Sequence, residues 1–455
     1  MNKLKLLIFL IFVLSSCKSI DQISFDQREL KKFNDDFGYV IFDIDANKVI
    51  AQNNADKKFI PASVFKLFTN FAALEVLGPD TRFNTRLYVQ GKITNGHLDG
   101  NLILESDGDA SFLIENLYNF AFAVKFKGIN SISGKIYYYN SDFLDVKMIN
   151  NDQPKYASYN PGFSSLNLNF NSFKITKDAN LIISVPQNSA TITRVFHNKY
   201  YLPQIKSDVW HINNKISERK LPVQNSSYFF ASQLREVLNN VGVKIEKIET
   251  IGKLPNDIEL IIEQSSKTIK EIVKDGLIYS NNLYSEVLLV QLAKKLGCEI
   301  QDIKSAATCL QNWYNTNYPM IGFKDAIFDN GSGLSESIEI SPKSVIEFLK
   351  IVENKSYGND YFPTLLPLSG VSGTLQDRFL DKSSQIFAKT GSMDYISSVA
   401  GYYYGKEKSY LFVFISNSKS LREAHFNKKV SSKFLNKWRK EVNAKHADML
   451  DKLTE

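Results

Sequence analysis

The stretch SVFKLFTNFAALEVLG, residues 63–78, constrains the fold more than any other. Phe65, Leu67, Phe68, Phe71, Ala72, Leu74 and Leu77 suit a helix that is mostly buried, and Gly78 closes it. A helix with so little polar surface must be enclosed on most sides, so the chain has to build a core around it. Within that run Ser63 and Lys66 stand three residues apart. At the first turn of a helix, backbone N–H groups and the macrodipole stabilise negative charge developing on Ser63. Lys66 lies on the same face within reach of the hydroxyl. A lysine kept dry beside another cation can lose its proton near neutral pH and serve as a base. The same residues also read as an N-cap serine followed by an ordinary helix lysine. S-x-x-K recurs at Ser15/Lys18, Ser217/Lys220 and Ser416/Lys419, so the pair alone assigns nothing.

The chain of 455 residues is long enough for two or three domains, and its 44% hydrophobic and 23% charged content is that of a globular protein. Its formal charge of +7 falls to +5 once residues 1–16, with two Lys and no acid, are removed. That charge is modest and scattered. The densest basic patch, NKKVSSKFLNKWRK, comes without a nucleic-acid-binding motif, so no nucleic-acid partner is expected. The N-terminus MNKLKLLIFLIFVLSSCKS has a positive start and an apolar run over residues 6–14. Nine helical residues reach about 14 Å, short of the ~30 Å bilayer core, so this is a secretory signal and not a membrane span. Leu14-Ser15-Ser16-Cys17 resembles a bacterial lipobox, which implies cleavage before Cys17, lipidation of its thiol, and an exported lipoprotein anchored on the periplasmic side of a membrane of the cell envelope. Cys298 and Cys309 are the other cysteines; an exported protein permits a disulfide, but the sequence leaves open whether the chain folds back far enough to form one.

The five histidines (His97, His197, His211, His425, His446) show no paired metal-ligand spacing, and there is no C-x-x-C, so no metal site is expected. G-x-S-x-G, the phosphate loop and the dinucleotide fingerprint are missing too. Serine activated by lysine remains. Downstream, Ser280-Asn281-Asn282 precedes another apolar helix, and Lys389-Thr390-Gly391-Ser392 follows a short apolar run. S-x-N also occurs at Ser158 and Ser165, whereas K-T-G occurs once. The order S-x-x-K, S-x-N, K-T-G, in a helix start, a loop before a helix and a strand, is the distinguishing signal.

With these three motifs, FDNGSGLSES (328–337), LPLSGVSGTLQDRF (366–379) and GFSSLNLNFN (162–171), the chain resembles the class C low-molecular-mass penicillin-binding proteins. These are the D-alanyl-D-alanine carboxypeptidases and endopeptidases of the penicillin-binding protein 4 type. The likeness runs over most of residues 36–420. It implies an α+β fold, an antiparallel sheet flanked by helices as in serine β-lactamases, with a large β-rich insertion. The stretch from Lys66 to Ser280, which stands 214 positions further on, holds that insertion, and its short strand-like runs, from TRLYVQGKI to ATITRVFH, agree. The expected division is a signal peptide at 1–16, a peptidase domain at 24–82 and 260–440, the insertion at 83–259 and a tail at 441–455. Two departures stand out: ESDGDASF lacks the family's first glycines and proline, and Glu336 follows GSGLS where the family usually has Arg.

The resemblance implies a role for each motif residue. Ser63 attacks the carbonyl between two D-alanines, Lys66 takes its proton, and Ser280 relays a proton to the leaving D-alanine. Asn282 binds the acyl chain, while Lys389 and Thr390 hold the terminal carboxylate. The N–H groups of Ser63 and Ser392 form the oxyanion hole. Peptidoglycan stem peptides are the implied substrates and β-lactams covalent inhibitors, with no cofactor. The loop around residues 329–335 and Gly373-Thr374-Leu375 read as structural turns. A serine β-lactamase or esterase on this fold, or a catalytically silent wall-binding lipoprotein, are the alternatives.

Overall fold

The computed structural model describes residues 36–454 except 141–142, 179–180, 196–201, 207–208, 214–215, 217 and 427–431. The signal segment, the lipobox and Cys17 lie outside the described residues.

Residues 63–78 do form the central helix. A 3-10 turn, Ala62–Phe65, leads into α1 (Lys66–Leu77), and Phe65, Leu67, Phe68, Phe71, Ala72 and Leu74 are at most 1% exposed. Each buried Leu or Phe contributes on the order of 1.5–3 kcal/mol, which makes α1 the hub of the largest core. Around it pack α2 (Ile269–Ile278), α3 (Asn282–Lys295), α4 (Ile303–Asn317) and α5 (Pro342–Val352).

These helices cover one face of a five-stranded antiparallel sheet built from β1 (Phe37–Asp43), β2 (Lys48–Asn53), β3 (Ile386–Met393), β4 (Ile396–Tyr404) and β5 (Ser409–Asn417), in the order β3-β4-β5-β1-β2. β1 is buried on both faces, and its residues alternate between two cores: Val40 and Phe42 meet the helices, while Phe37, Tyr39 and Ile41 turn to the other side. The second side is closed by α6 (Ser432–Thr454), whose Met449 and Leu450 join that core. Residues 441–454, expected as a tail, are therefore the second half of a helix, with Val442, His446, Met449 and Leu450 buried.

The insertion has its own core and a six-stranded sheet, in which Asn84–Thr94 and His97–Ser106 form the central hairpin. It also holds two helices the strand pattern had not indicated, Ile114–Phe126 and Ser226–Asn240, and two three-stranded sheets. Its returning strand, Glu259–Ser265, pairs with Asn84–Thr94, so the chain leaves the insertion about six residues later than the expected boundary at 259. Cys298, just past α3, is bonded to Cys309 in α4, with their Cα atoms 6.3 Å apart. The chain turns back on itself between the two helices, the condition the sequence had left open.

Candidate active site

The three motifs, distant in sequence, converge where the start of α1 meets the edge strand β3 and the loop before α3. Ser63 lies in the 3-10 turn, partly exposed, and Ala62 before it takes a left-handed backbone, φ 46°. Lys66, the first residue of α1, is fully buried. Its Nζ donates to Ser63 Oγ at 2.9 Å, Asn282 Oδ1 at 2.6 Å and the Ser332 carbonyl at 2.7 Å. Three acceptors satisfy an ammonium. A neutral amine keeps two of those donors and turns its lone pair on the serine hydroxyl. Burial lowers the Lys66 pKa to about 7, with the Glu286 charge pulling the other way.

Ser280 also has a left-handed backbone, φ 54°, a conformation a non-glycine residue adopts only where its surroundings impose it. Asn281 caps α3 by accepting from Tyr284 N at 3.2 Å, which leaves Ser280 at the turn and Asn282 on the first helical position. Lys389, fully buried on β3, donates to Ser280 Oγ at 2.9 Å and to the Thr390 carbonyl at 2.7 Å. Burial, then the charge on Lys66, hold its pKa well below the ordinary lysine value.

Gly391 explains why a residue without a side chain sits inside this motif. A Cβ there would lie 2.9 Å from Ser63 N, 2.5 Å from the Pro61 carbonyl and 2.3 Å from Ser398 Oγ. The strand thus presses against the turn that carries the serine, and Ser398 Oγ ties the two by donating to the Pro61 carbonyl at 2.6 Å. Ser392, next along, is exposed to a cavity of about 380 Å³ that Ser63, Ser280 and Asn282 also line.

All seven motif residues are brought together, but two are engaged differently from expectation. The Asn282 amide, assigned to the substrate's acyl chain, donates to the Tyr159 carbonyl of the insertion at 2.7 Å. The Thr390 hydroxyl donates to Thr374 Oγ1 at 2.8 Å. Thr374, read as part of a structural turn, therefore touches the site. The 329–335 loop likewise supplies the carbonyl that holds Lys66. Glu336, the departure after GSGLS, is ion-paired with Arg422, which lines the same cavity. Glu286 went unnoticed in the motif reading, although an acid inside the apolar run NLYSEVLLV, one turn after Asn282, was a usable signal.

The chain is 27% identical over 403 residues to D-alanyl-D-alanine carboxypeptidase DacB of Haemophilus influenzae, covering 80% of this chain and 81% of that protein. Its fold matches the crystal structure of penicillin binding protein 4 (dacB) from H. influenzae with a TM-score of 0.73 at 22% identity, over 87% of this chain and 94% of the other. The same protein complexed with a β-lactam matches at a TM-score of 0.67 and 22% identity, over 84% and 89% of the two chains. Residues 17–438 match the profile of the D-Ala-D-Ala carboxypeptidase 3 (S13) family, and to that family the chain belongs.

Proposed function

We propose that this chain is a serine-type D-alanyl-D-alanine carboxypeptidase that cleaves peptidoglycan stem peptides through an acyl-enzyme on Ser63. The observation that carries the reading is the contact set of Lys66, a buried lysine whose pKa falls to about 7 and whose Nζ lies 2.9 Å from Ser63 Oγ. Neutral Lys66 takes the Ser63 proton as Oγ attacks the carbonyl between the two D-alanines. The oxyanion is received by the N–H groups of Ser63 and Ser392. The C–N bond breaks as Ser280, beside Lys389, relays to the leaving amine the proton that Lys66 took from Ser63, leaving Lys66 neutral and the Ser280 hydroxyl restored. Water then attacks the ester and frees Ser63. The terminal carboxylate of the substrate brings a negative charge to buried Lys389 and Thr390, offsetting the desolvation that lowers the Lys389 pKa. β-Lactams enter the same sequence and stop at the ester, a reading supported by the β-lactam complex of the H. influenzae protein.

The test is labelling of purified, signal-less protein with a fluorescent penicillin, with D-alanine release from a D-Ala-D-Ala peptide measured alongside. Wild-type protein takes a label that persists for minutes and releases D-alanine, while Ser63→Ala does neither. A Ser63→Ala variant that still labels, or a wild type that never does, removes Ser63 from this role. In the cell the chain is exported and tethered to the envelope through lipidated Cys17, which membrane fractionation of a Cys17→Ser variant reads directly.

A further inference from the structure

Behind Lys66 lies a carboxyl group that the reaction as written does not use. Glu286 sits on α3 one turn beyond Asn282 and is fully buried. Its Oε2 accepts from Gly331 N at 2.9 Å and its Oε1 from Ser332 N at 2.8 Å. The carbonyl of that same Ser332 receives Lys66 Nζ. The turn is gripped from the opposite side by α1, where Thr69 Oγ1 donates to the Gly331 carbonyl at 2.8 Å. There is no slack in this packing: a Cβ on Gly331 would lie 2.6 Å from the Ser285 carbonyl.

We propose that Glu286 is a positioning residue of the reaction, holding the Gly331–Ser332 backbone in place to receive Lys66 and setting a fixed negative charge behind that lysine. The proposal rests on the reading of Lys66 as the base. Both carboxyl oxygens accept an N–H, which is the bonding pattern of the ionised form. Burial holds the Glu286 pKa above the ordinary carboxylate value, and the Ser332 and Gly331 bonds and the charge on Lys66 offset part of that rise. Three titratable groups meet here: Glu286 on α3, Lys66 on α1 and Lys389 on β3, whose own pKa is lowered by burial and then by the charge on Lys66. Other acids on the packed helices are paired elsewhere, Asp275 of α2 with Lys267 and Glu75 of α1 with Lys355. Burial favours loss of the Lys66 proton, and Glu286 opposes it. Without that opposition Lys66 would stay neutral further into acid, but its amine would no longer be held in line with Ser63.

Glu286→Gln separates the two effects. A glutamine matches the size but can accept only one of the two amides, and it carries no charge. The measurement is the rate of acylation by benzylpenicillin as a function of pH, on protein whose fold is checked by circular dichroism. We expect the maximal rate to fall about 10-fold or more, the scale of a misplaced catalytic group. The acid limb, set near 7 by Lys66, should move down by on the order of one pH unit. A lower rate with the limb unmoved would make Glu286 merely structural and overturn the proposal. Glu286→Asp keeps the charge but falls one methylene short, so its maximal rate should drop while its limb moves less than that of the glutamine variant. This variant carries the test if Glu286→Gln does not fold, and a wild-type rate in it would end the clamp. Lys66→Ala is the control for the underlying reading: acylation with an unchanged pH profile in that variant would remove Lys66 as base, a result separate from either outcome at Glu286.

Discussion

Lys66 is singled out by the order of three motifs and not by its spacing to Ser63 alone, and what sets its chemistry is the set of atoms around it. A lysine on an exposed helix face would stay charged well above neutral pH. Here burial removes the water that would hold the ammonium, and three acceptors replace it. Gly391 makes a parallel case. The missing side chain was legible in the motif; the reason for it was not, because Ser63 N and the Pro61 carbonyl come from a turn more than 300 positions away. Gly391→Ala should therefore leave the fold standing while forcing β3 away from the serine. A displacement of about 1 Å at a reacting centre costs on the order of 10²-fold, so acylation by a fluorescent penicillin should slow by roughly that factor. Acylation at the wild-type rate in a folded Gly391→Ala protein would refute the close approach as a functional constraint.

At the scale of elements, the apolar pattern of residues 63–78 predicted a buried helix, and its length and depth follow from that pattern. The last helix shows where such reading stops. Its sequence is strongly charged, and its buried positions are few and widely spaced, so the segment resembles a solvated tail. Val442, His446, Met449 and Leu450 nonetheless pack under the sheet. His446 is 1% exposed, stacked near Phe37 and Phe414, with Nε2 3.1 Å from Ser416 Oγ. Burial, then the Arg378 charge, lower its pKa to about 3 from an ordinary value of 6.5. Above 6.5 neither the folded nor the unfolded chain binds a proton at this ring. Between 6.5 and about 3 only the unfolded chain does, so this group removes stability as pH falls, by about 1.4 kcal/mol per pH unit at most. His446→Phe keeps the stacking and abolishes the titration. The slope of denaturant-derived stability against pH should flatten across the mildly acidic range in that variant. An identical slope would mean that His446 titrates in the folded protein as it does in the unfolded one.

For the whole molecule, the spacing of the motifs announced an insertion, and the insertion turns out to take part in the site. Tyr159 gives its carbonyl to Asn282, and Asn150 Nδ2 donates to the Leu334 carbonyl at 2.7 Å. The two cores are thereby joined at the cleft itself. Among the described residues no helix is long and apolar enough to cross a membrane. The proposed anchor, Cys17, stands about twenty positions before the first described residue. Cys17→Ser should shift the protein from the membrane to the soluble fraction and leave penicillin labelling intact. Membrane retention of that variant would require another means of attachment.

The sequence by itself determined the central helix, the order of the three motifs and membership of a serine peptidase family, because these depend on local spacing and on residue types that few other arrangements need. Tertiary structure alone decided that Glu286 stands behind Lys66, that Tyr159 occupies the Asn282 amide, that Cys298 meets Cys309, and that the last helix is half buried. Each of these depends on groups whose closeness in space the local pattern does not encode. The protonation of Lys66, Lys389 and His446 is settled the same way, since it depends on how much water the surrounding fold removes.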